Sequence, residues 1–267
     1  MSAPQSQKPR PPQPDTASSH LQKAQDSLKN ISAKTKPAET PPDTLGLYFR
    51  HLKKGTEKTL VIETDLYRAE ISTKGGVIRT WELKKFKTWD NHPVQLVDYG
   101  RGGDFSILFT SSDGKLINTR SLYFDAKYQD RQTVTLTGKD EYAFDLFLSI
   151  NDTSRIVESF RFENGRYSFD VSIRFEKMQA IVSNFEYQII WENGVRLTEE
   201  RSDDEASFAA AYSHIGGELV ELDASVPDRE QRVSPSGSTD WVATRTKYFA
   251  VAMISSDRKA SGAYLSG

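Results

Sequence analysis

Four histidines, 37 acidic residues and no cysteine define the chemistry open to this 267-residue chain. The missing cysteine removes disulfides, thiol nucleophiles and every zinc or iron–sulfur pattern that needs sulfur. His20, His51, His92 and His214 stand too far apart for a local metal motif and read as surface or edge residues. A Gly-x-Ser-x-Gly nucleophile elbow is absent from the sequence. Gly100-Arg101-Gly102-Gly103 is not followed by a helical pattern. It reads as a turn, because a phosphate cradle needs a strand, a loop and a helix terminus in succession. Glu199-Glu200 and Asp203-Asp204 are acidic neighbours in a loop-like stretch. A glycosidase instead sets two carboxylates ~5–9.5 Å apart across a sugar, so these pairs read as solvated loop charge. Asn30-Ile31-Ser32 and Asn151-Asp152-Thr153 match a glycosylation pattern too short to carry weight. Trp81, Trp89, Trp191 and Trp241 have the chemistry of a sugar platform, but aromatics at alternating strand positions belong more often to a core. Trp191, after Ile189-Ile190, reads as buried, and Trp89 as the most exposed. The residue chemistry therefore nominates no catalytic, cofactor-binding or metal-binding residue.

The elements that would position such groups divide the chain in two. Residues 1–44 hold 8 of the 11 prolines, none of the 16 glycines and none of the 29 aromatics (14 Phe, 11 Tyr, 4 Trp). Such a segment cannot offset its chain entropy by burial and is expected to be a disordered Pro/Ser/Lys-rich linker. Its one apolar stripe, Leu21, Ala24, Leu28 and Ile31, is too short for a stable isolated helix. Residues 45–267 alternate with period two and are expected to form one all-β domain. The clearest run places Tyr167, Phe169, Val171, Ile173 and Phe175 on one sheet face. Phe144, Leu146, Leu148 and Ile150 repeat the device, and Ile156, Glu158 and Phe160 repeat it less cleanly. Further strands are predicted over residues 59–64, 66–73, 77–84, 105–110, 121–127, 132–137, 185–191, 217–222 and 239–254. Lys74-Gly75-Gly76, Ser112-Asp113-Gly114, Glu163-Asn164-Gly165 and Glu192-Asn193-Gly194 supply turns between strands. Residues 199–211 fit either a helix capped by Ser202 or a strand at 208–212, and the β context favours the strand. Many short strands without long helices predict a sandwich or open barrel.

Net charge is −2, with 35 basic and 37 acidic residues, so no basic field suits nucleic acid. The longest apolar run, residues 248–254, falls far short of the ~20 residues of a membrane-spanning helix. Residues 1–30 lack the apolar stretch of a signal peptide.

Three segments together resemble the periplasmic domain of the YidC membrane-protein insertase family. Residues 60–83, LVIETDLYRAEISTKGGVIRTWEL, carry a strand ending in Thr64-Asp65, then a strand, the Gly75-Gly76 turn and an apolar outgoing strand. Gly165-Arg166-Tyr167 leads into the alternating strand like the family's central Gly-x-Tyr strand. Residues 237–254, GSTDWVATRTKYFAVAMI, are similar to the family's closing signature, and within them residues 241–254 read as two core strands interrupted near Thr244-Arg245-Thr246.

The resemblance implies a β-supersandwich like that of galactose mutarotases, and a linker that ties it to a preceding membrane helix. It also implies a bundle of membrane helices after the domain, so the chain reads as a fragment ending before the domain's last strands. The implied role is non-catalytic and lies on the periplasmic side of the bacterial inner membrane. There it would assist insertion and folding of membrane proteins by contacting the Sec translocon (SecDF, SecYEG) or inserting substrates. The competing reading is a sugar-binding or aldose-epimerase-like protein. That needs a histidine and a carboxylate facing one sugar ring across a cleft, and His92 and His214 are its candidates.

Overall fold

The computed structural model describes residues 43–97, 99–226 and 229–267, and Asp43–Gly267 form one compact unit. His20, the stripe over residues 21–31 and Asn30-Ile31-Ser32 lie outside the described residues. In chain order come α1 (Gly46–Phe49), β1 (Thr59–Glu63), β2 (Tyr67–Ser72), β3 (Ile78–Lys87), β4 (Pro93–Val97), β5 (Ser106–Ser111) and β6 (Leu116–Asn118). Then follow β7 (Asp125–Ala126), β8 (Gln132–Thr135), β9 (Glu141–Ser149), β10 (Arg155–Glu163), β11 (Asp170–Glu176) and β12 (Val182–Ile190). The last part holds α2 (Ser202–Ala206), β13 (Ala210–Ile215), β14 (Glu218–Asp223), β15 (Arg232–Val233), β16 (Ser236–Arg245), β17 (Ala250–Ile254), β18 (Ala260–Gly262) and β19 (Leu265–Ser266).

The fold is an all-β sandwich. Its sheets run β4-β3-β2-β1-β8, β11-β10-β9-β7, β12-β5-β6 and β14-β13-β16-β17, with β18 also on β16 and a small β15-β19 pair. Pairing is antiparallel except between β1 and β8. The first two sheets meet face to face through aromatic rings. Trp81 of β3 stacks on Tyr67 at 4.2 Å and lies 5.4 Å from Phe169 and 6.5 Å from Phe162. Phe144, Phe160 and Phe162 stack along β9 and β10. Phe109 of β5 brings the third sheet in, edge-on to Phe49 and Phe175.

Local chemistry explains the hairpins. The Thr64 hydroxyl accepts from the backbone N–H groups of Leu66 and Tyr67, turning β1 into β2. Gly75 and Gly76 both have positive φ, 86° and 67°, between β2 and β3. Asn164 ties the first turn to the second sheet: its amide oxygen accepts from Asp65 N–H at 2.9 Å, and its nitrogen donates to Asp65 Oδ2 at 2.6 Å.

Several expectations are modified. Phe169, Val171, Ile173 and Phe175 share the inward side but are half-buried, and Tyr167 precedes β11 and is exposed. The 121–127 stretch buries Leu122 and Phe124, yet their N–H groups bond Thr119 and Thr73 singly, and only β7 is a strand. Residues 199–211 take both candidate forms in turn: α2, which Ser202 begins without a side-chain cap, then β13. Residues 241–254 do form two strands, but not core strands, since both faces of β16 and β17 keep contact with solvent.

Candidate docking surface

His92 and His214 meet carboxylates, but not across a cleft, and His51 sits in a single 3-10 turn after α1. His92 is exposed and pairs with Asp90 of its own loop, Nδ1 to Oδ2 at 3.0 Å. The Thr88 hydroxyl, donating to Asp90, is the main cause that holds this carboxyl below its ordinary range. Between them Trp89 is 59 % exposed, as its loop position predicts. His214 on β13 lies opposite Trp241 on β16, rings stacked at 5.9 Å. The β13–β16 register shifts beside this pair and leaves Asp240 as the extra residue, its Oδ2 2.5 Å from His214 Nδ1. Lys259 pairs with the other Asp240 oxygen. His92 and His214 therefore each contact a carboxylate directly, which leaves no gap in which a sugar ring could sit between acid and base.

The acidic loop divides by role. Asp204 is held below the usual carboxylate range by a hydrogen bond from Lys247 at 2.8 Å. Glu205 is buried and accepts from the N–H groups of Thr198 and Glu199 at 2.6 and 2.9 Å, pinning the loop before β13. Residues 99–101 form a single 3-10 turn that leads to the buried Asp104. Asp104 accepts from Glu192 and Asn193 N–H, and Arg120 bridges it to Glu192 at 3.5 and 3.0 Å. Burial raises the Asp104 carboxyl despite those donors. Asp104, Arg120, Glu192 and Asn193 thereby tie three loops together. Sequence reading missed Asp104, Arg120 and Glu205, because their partners are distant in the chain or are backbone groups. Among the described residues, no cluster of three or more His, Asp or Glu could hold a metal ion.

Exposed apolar side chains concentrate elsewhere. On β12, Phe185 (71 % exposed), Tyr187 and Ile189 repeat at period two. β12 is an edge strand, hydrogen-bonded to β5 on one side only among the described residues. It carries neither lysine nor proline, the residues that usually blunt such an edge. Asn184 and Phe185 have positive φ, 56° and 55°, where the β12–β5 register shifts. Tyr187 leans on Phe175 of β11 at 4.8 Å, which extends the patch onto the next sheet. Trp191, expected to be buried, is half-buried just past β12 and donates Nε1–H to Gly194 O. A smaller aromatic group, Phe86, Tyr167 and Phe249, sits at the end of β3. Exposed apolar side chains gathered on one edge strand are a feature of interaction sites. No helix among the described residues is long and apolar enough to cross a membrane.

The family model for the YidC periplasmic domain matches residues 59–266. The Membrane protein insertase YidC of Chlorobium luteolum is 36 % identical over 239 residues, 89 % of this chain and 40 % of that protein. Its counterpart in Pelodictyon phaeoclathratiforme is 37 % identical over 233 residues, 86 % of this chain and 40 % of that protein. That of Chlorobaculum tepidum is 36 % identical over 228 residues, 84 % and 38 % respectively. The chain spans about 40 % of the length of these relatives.

Proposed function

The chain belongs to the YidC periplasmic-domain family, and from that premise we propose that it is the non-catalytic periplasmic part of an inner-membrane insertase. Residues 45–267 act as the recruiting domain and residues 1–44 as its tether. The domain assists insertion and folding of membrane proteins by holding Sec translocon components, SecDF foremost, or emerging substrates near the insertion site. The observation that carries this reading is the apolar edge of β12, where Phe185, Tyr187 and Ile189 are exposed on a strand with one side unpaired among the described residues. A partner strand added there would gain backbone hydrogen bonds and apolar contact together.

A pull-down on the folded chain tests it. SecDF subunits are retained by the wild type and lost with the double variant Phe185→Ser, Tyr187→Ser, whose native circular dichroism is checked first. Failure of folded wild-type protein to retain any Sec component sinks the recruiting role. Retention that the double variant leaves untouched moves the contact away from β12.

The sugar reading keeps one feature, the Trp241 ring stacked on His214, because the His214–Asp240 contact itself spans no cleft. Polarimetry on α-galactose decides that point: an epimerase accelerates equilibration, and His214→Ala abolishes the acceleration. An unchanged rate with wild-type protein ends it.

A further inference from the structure

Three carboxylates are fully buried among the described residues, and they are not alike. Glu205 accepts two backbone N–H groups, and Asp104 has two donors and an arginine. Glu158 has no hydrogen-bond partner for either oxygen among the described residues. It lies on the inner face of β10 between Ile156 and Phe160, opposite Leu146 of β9 and Ile173 of β11. Across the sandwich it meets the β2–β3 hairpin. A Cβ placed on Gly76 would stand 2.2 Å from Glu158 Oε2, so the carboxyl fills the space that glycine leaves open.

Charged groups on every neighbouring element are engaged elsewhere. Asp145 of β9 and Arg174 of β11 bond the Ser159 hydroxyl, and Arg155 and Arg161 of β10 pair with Glu176 and Glu141. Ser159 alternates with Glu158, so these groups lie on the outer face of the sheet. On the hairpin side, the Lys74 ammonium lies over the Tyr123 ring, and Arg79 reaches Thr59 and Glu57. Arg120, whose backbone would touch a side chain on Gly75, directs its guanidinium to Glu192 and Asp104. An ionised carboxylate without a counter-charge is very costly in such a place, whereas a neutral acid, though still without a hydrogen-bond partner, costs far less.

We propose that Glu158 is a neutral carboxylic acid in the folded domain, and that its ionisation loosens the Gly75-Gly76 hairpin from the β10 face. The contact between the two main sheets then becomes a pH-graded joint. Burial raises the Glu158 carboxyl well above its ordinary range. A raised carboxyl binds its proton more tightly in the folded chain than in the unfolded one. Its stabilisation is complete below the unfolded value of about 4.5 and is lost as pH rises through the folded value. Within that window the unfolding equilibrium constant grows by up to about tenfold per pH unit.

The test uses the 267-residue chain. Urea unfolding is followed by tryptophan fluorescence from pH 4 to pH 9 for the wild type and for Glu158→Gln. Asp104, also raised by burial, contributes to both profiles and cancels in their difference. The expected result is a wild-type stability that falls with pH more steeply than that of Glu158→Gln, the gap opening only above about pH 4.5. Parallel profiles overturn the proposal. Carbon-13 titration of the wild-type glutamate carboxyl groups is independent of how the variant folds. It is expected to show one glutamate, assigned through its β10 backbone, titrating well above the rest. A Glu158 resonance that titrates with the surface glutamates overturns the proposal even where Glu158→Gln fails to fold.

Discussion

Apolar strand residues have opposite outcomes in two regions of the domain. In β10, Ile156, Phe160 and Phe162 are almost wholly buried, because β2 and β3 cover that face with Tyr67 and Trp81. In β17, Val251 and Met253 are only half-buried, and Ile254 is 73 % exposed. Composition alone would rank them the other way, since β17 (AVAMI) is apolar at every position and β10 (RIVESFRFE) carries five polar or charged residues. The difference is a facing layer: alternation decides which side chains share a face, and only a second sheet decides whether that face is dry. Where no such layer lies among the described residues, apolar side chains such as Ile254 stay in contact with solvent.

Truncation of matched apolar residues should expose this contrast most strongly. Phe160→Ala removes a ring stacked against Phe144, Phe162 and Phe169 and is expected to cost ~3–5 kcal/mol by urea denaturation. Ile254→Ala should remain within ~0.5 kcal/mol. Equal losses would break the contrast and place β17 in the core after all.

Two glycines sharpen it at smaller scale. Gly76 and Gly217 both have positive φ, 67° and 87°. A side chain on Gly217 meets nothing within 4 Å, whereas one on Gly76 collides with Glu158. Gly217→Ala is expected to cost about 1 kcal/mol from backbone strain alone. Gly76→Ala should cost at least ~2 kcal/mol, because the crowding of a dry core is added to that strain. Thermal melts of both variants give the comparison, and a Gly76→Ala loss no larger than that of Gly217→Ala would show that Glu158 yields its space freely.

Features set by adjacent residues were legible in the sequence. Thr64-Asp65 and Gly75-Gly76 carry their turn geometry in their own side chains, or in the lack of them. The alternation around Glu158 also put that residue on the apolar face, where it is found. Features set by distant partners were not legible. Arg120 reads as an ordinary surface cation until the fold brings Asp104 and Glu192 beside it. Leu122 and Phe124 alternate like strand residues, but their backbone bonds reach Thr119 and Thr73 rather than one partner strand. The β12 edge was found as a strand, yet its exposure depends on what lies beside it, and Ile189-Ile190-Trp191 gave the opposite impression.

The smallest expected effect belongs to the ion pair that ties α2 to the turn between β16 and β17. Asp204 and Lys247 are 2.8 Å apart at the surface, and the Lys247 hydrogen bond lowers the Asp204 carboxyl. A lowered carboxyl stabilises the fold above its unfolded value of about 3.8 and loses that contribution as pH falls through the folded value. Asp204→Asn should therefore soften the domain slightly at pH 7 and not at all once the wild-type carboxyl is protonated. Because both partners are solvated, 1 M salt should erase the pH 7 difference through screening. The Glu158 contribution runs the other way, growing less favourable as pH rises, and salt has little access to it. Wild-type stability compared with Asp204→Asn and Glu158→Gln, at low and high salt, thus separates a wet contact in the open half from a dry one in the closed half. Salt-insensitivity of the Asp204→Asn difference would mean that the later sheet shields its charges better than its exposure implies.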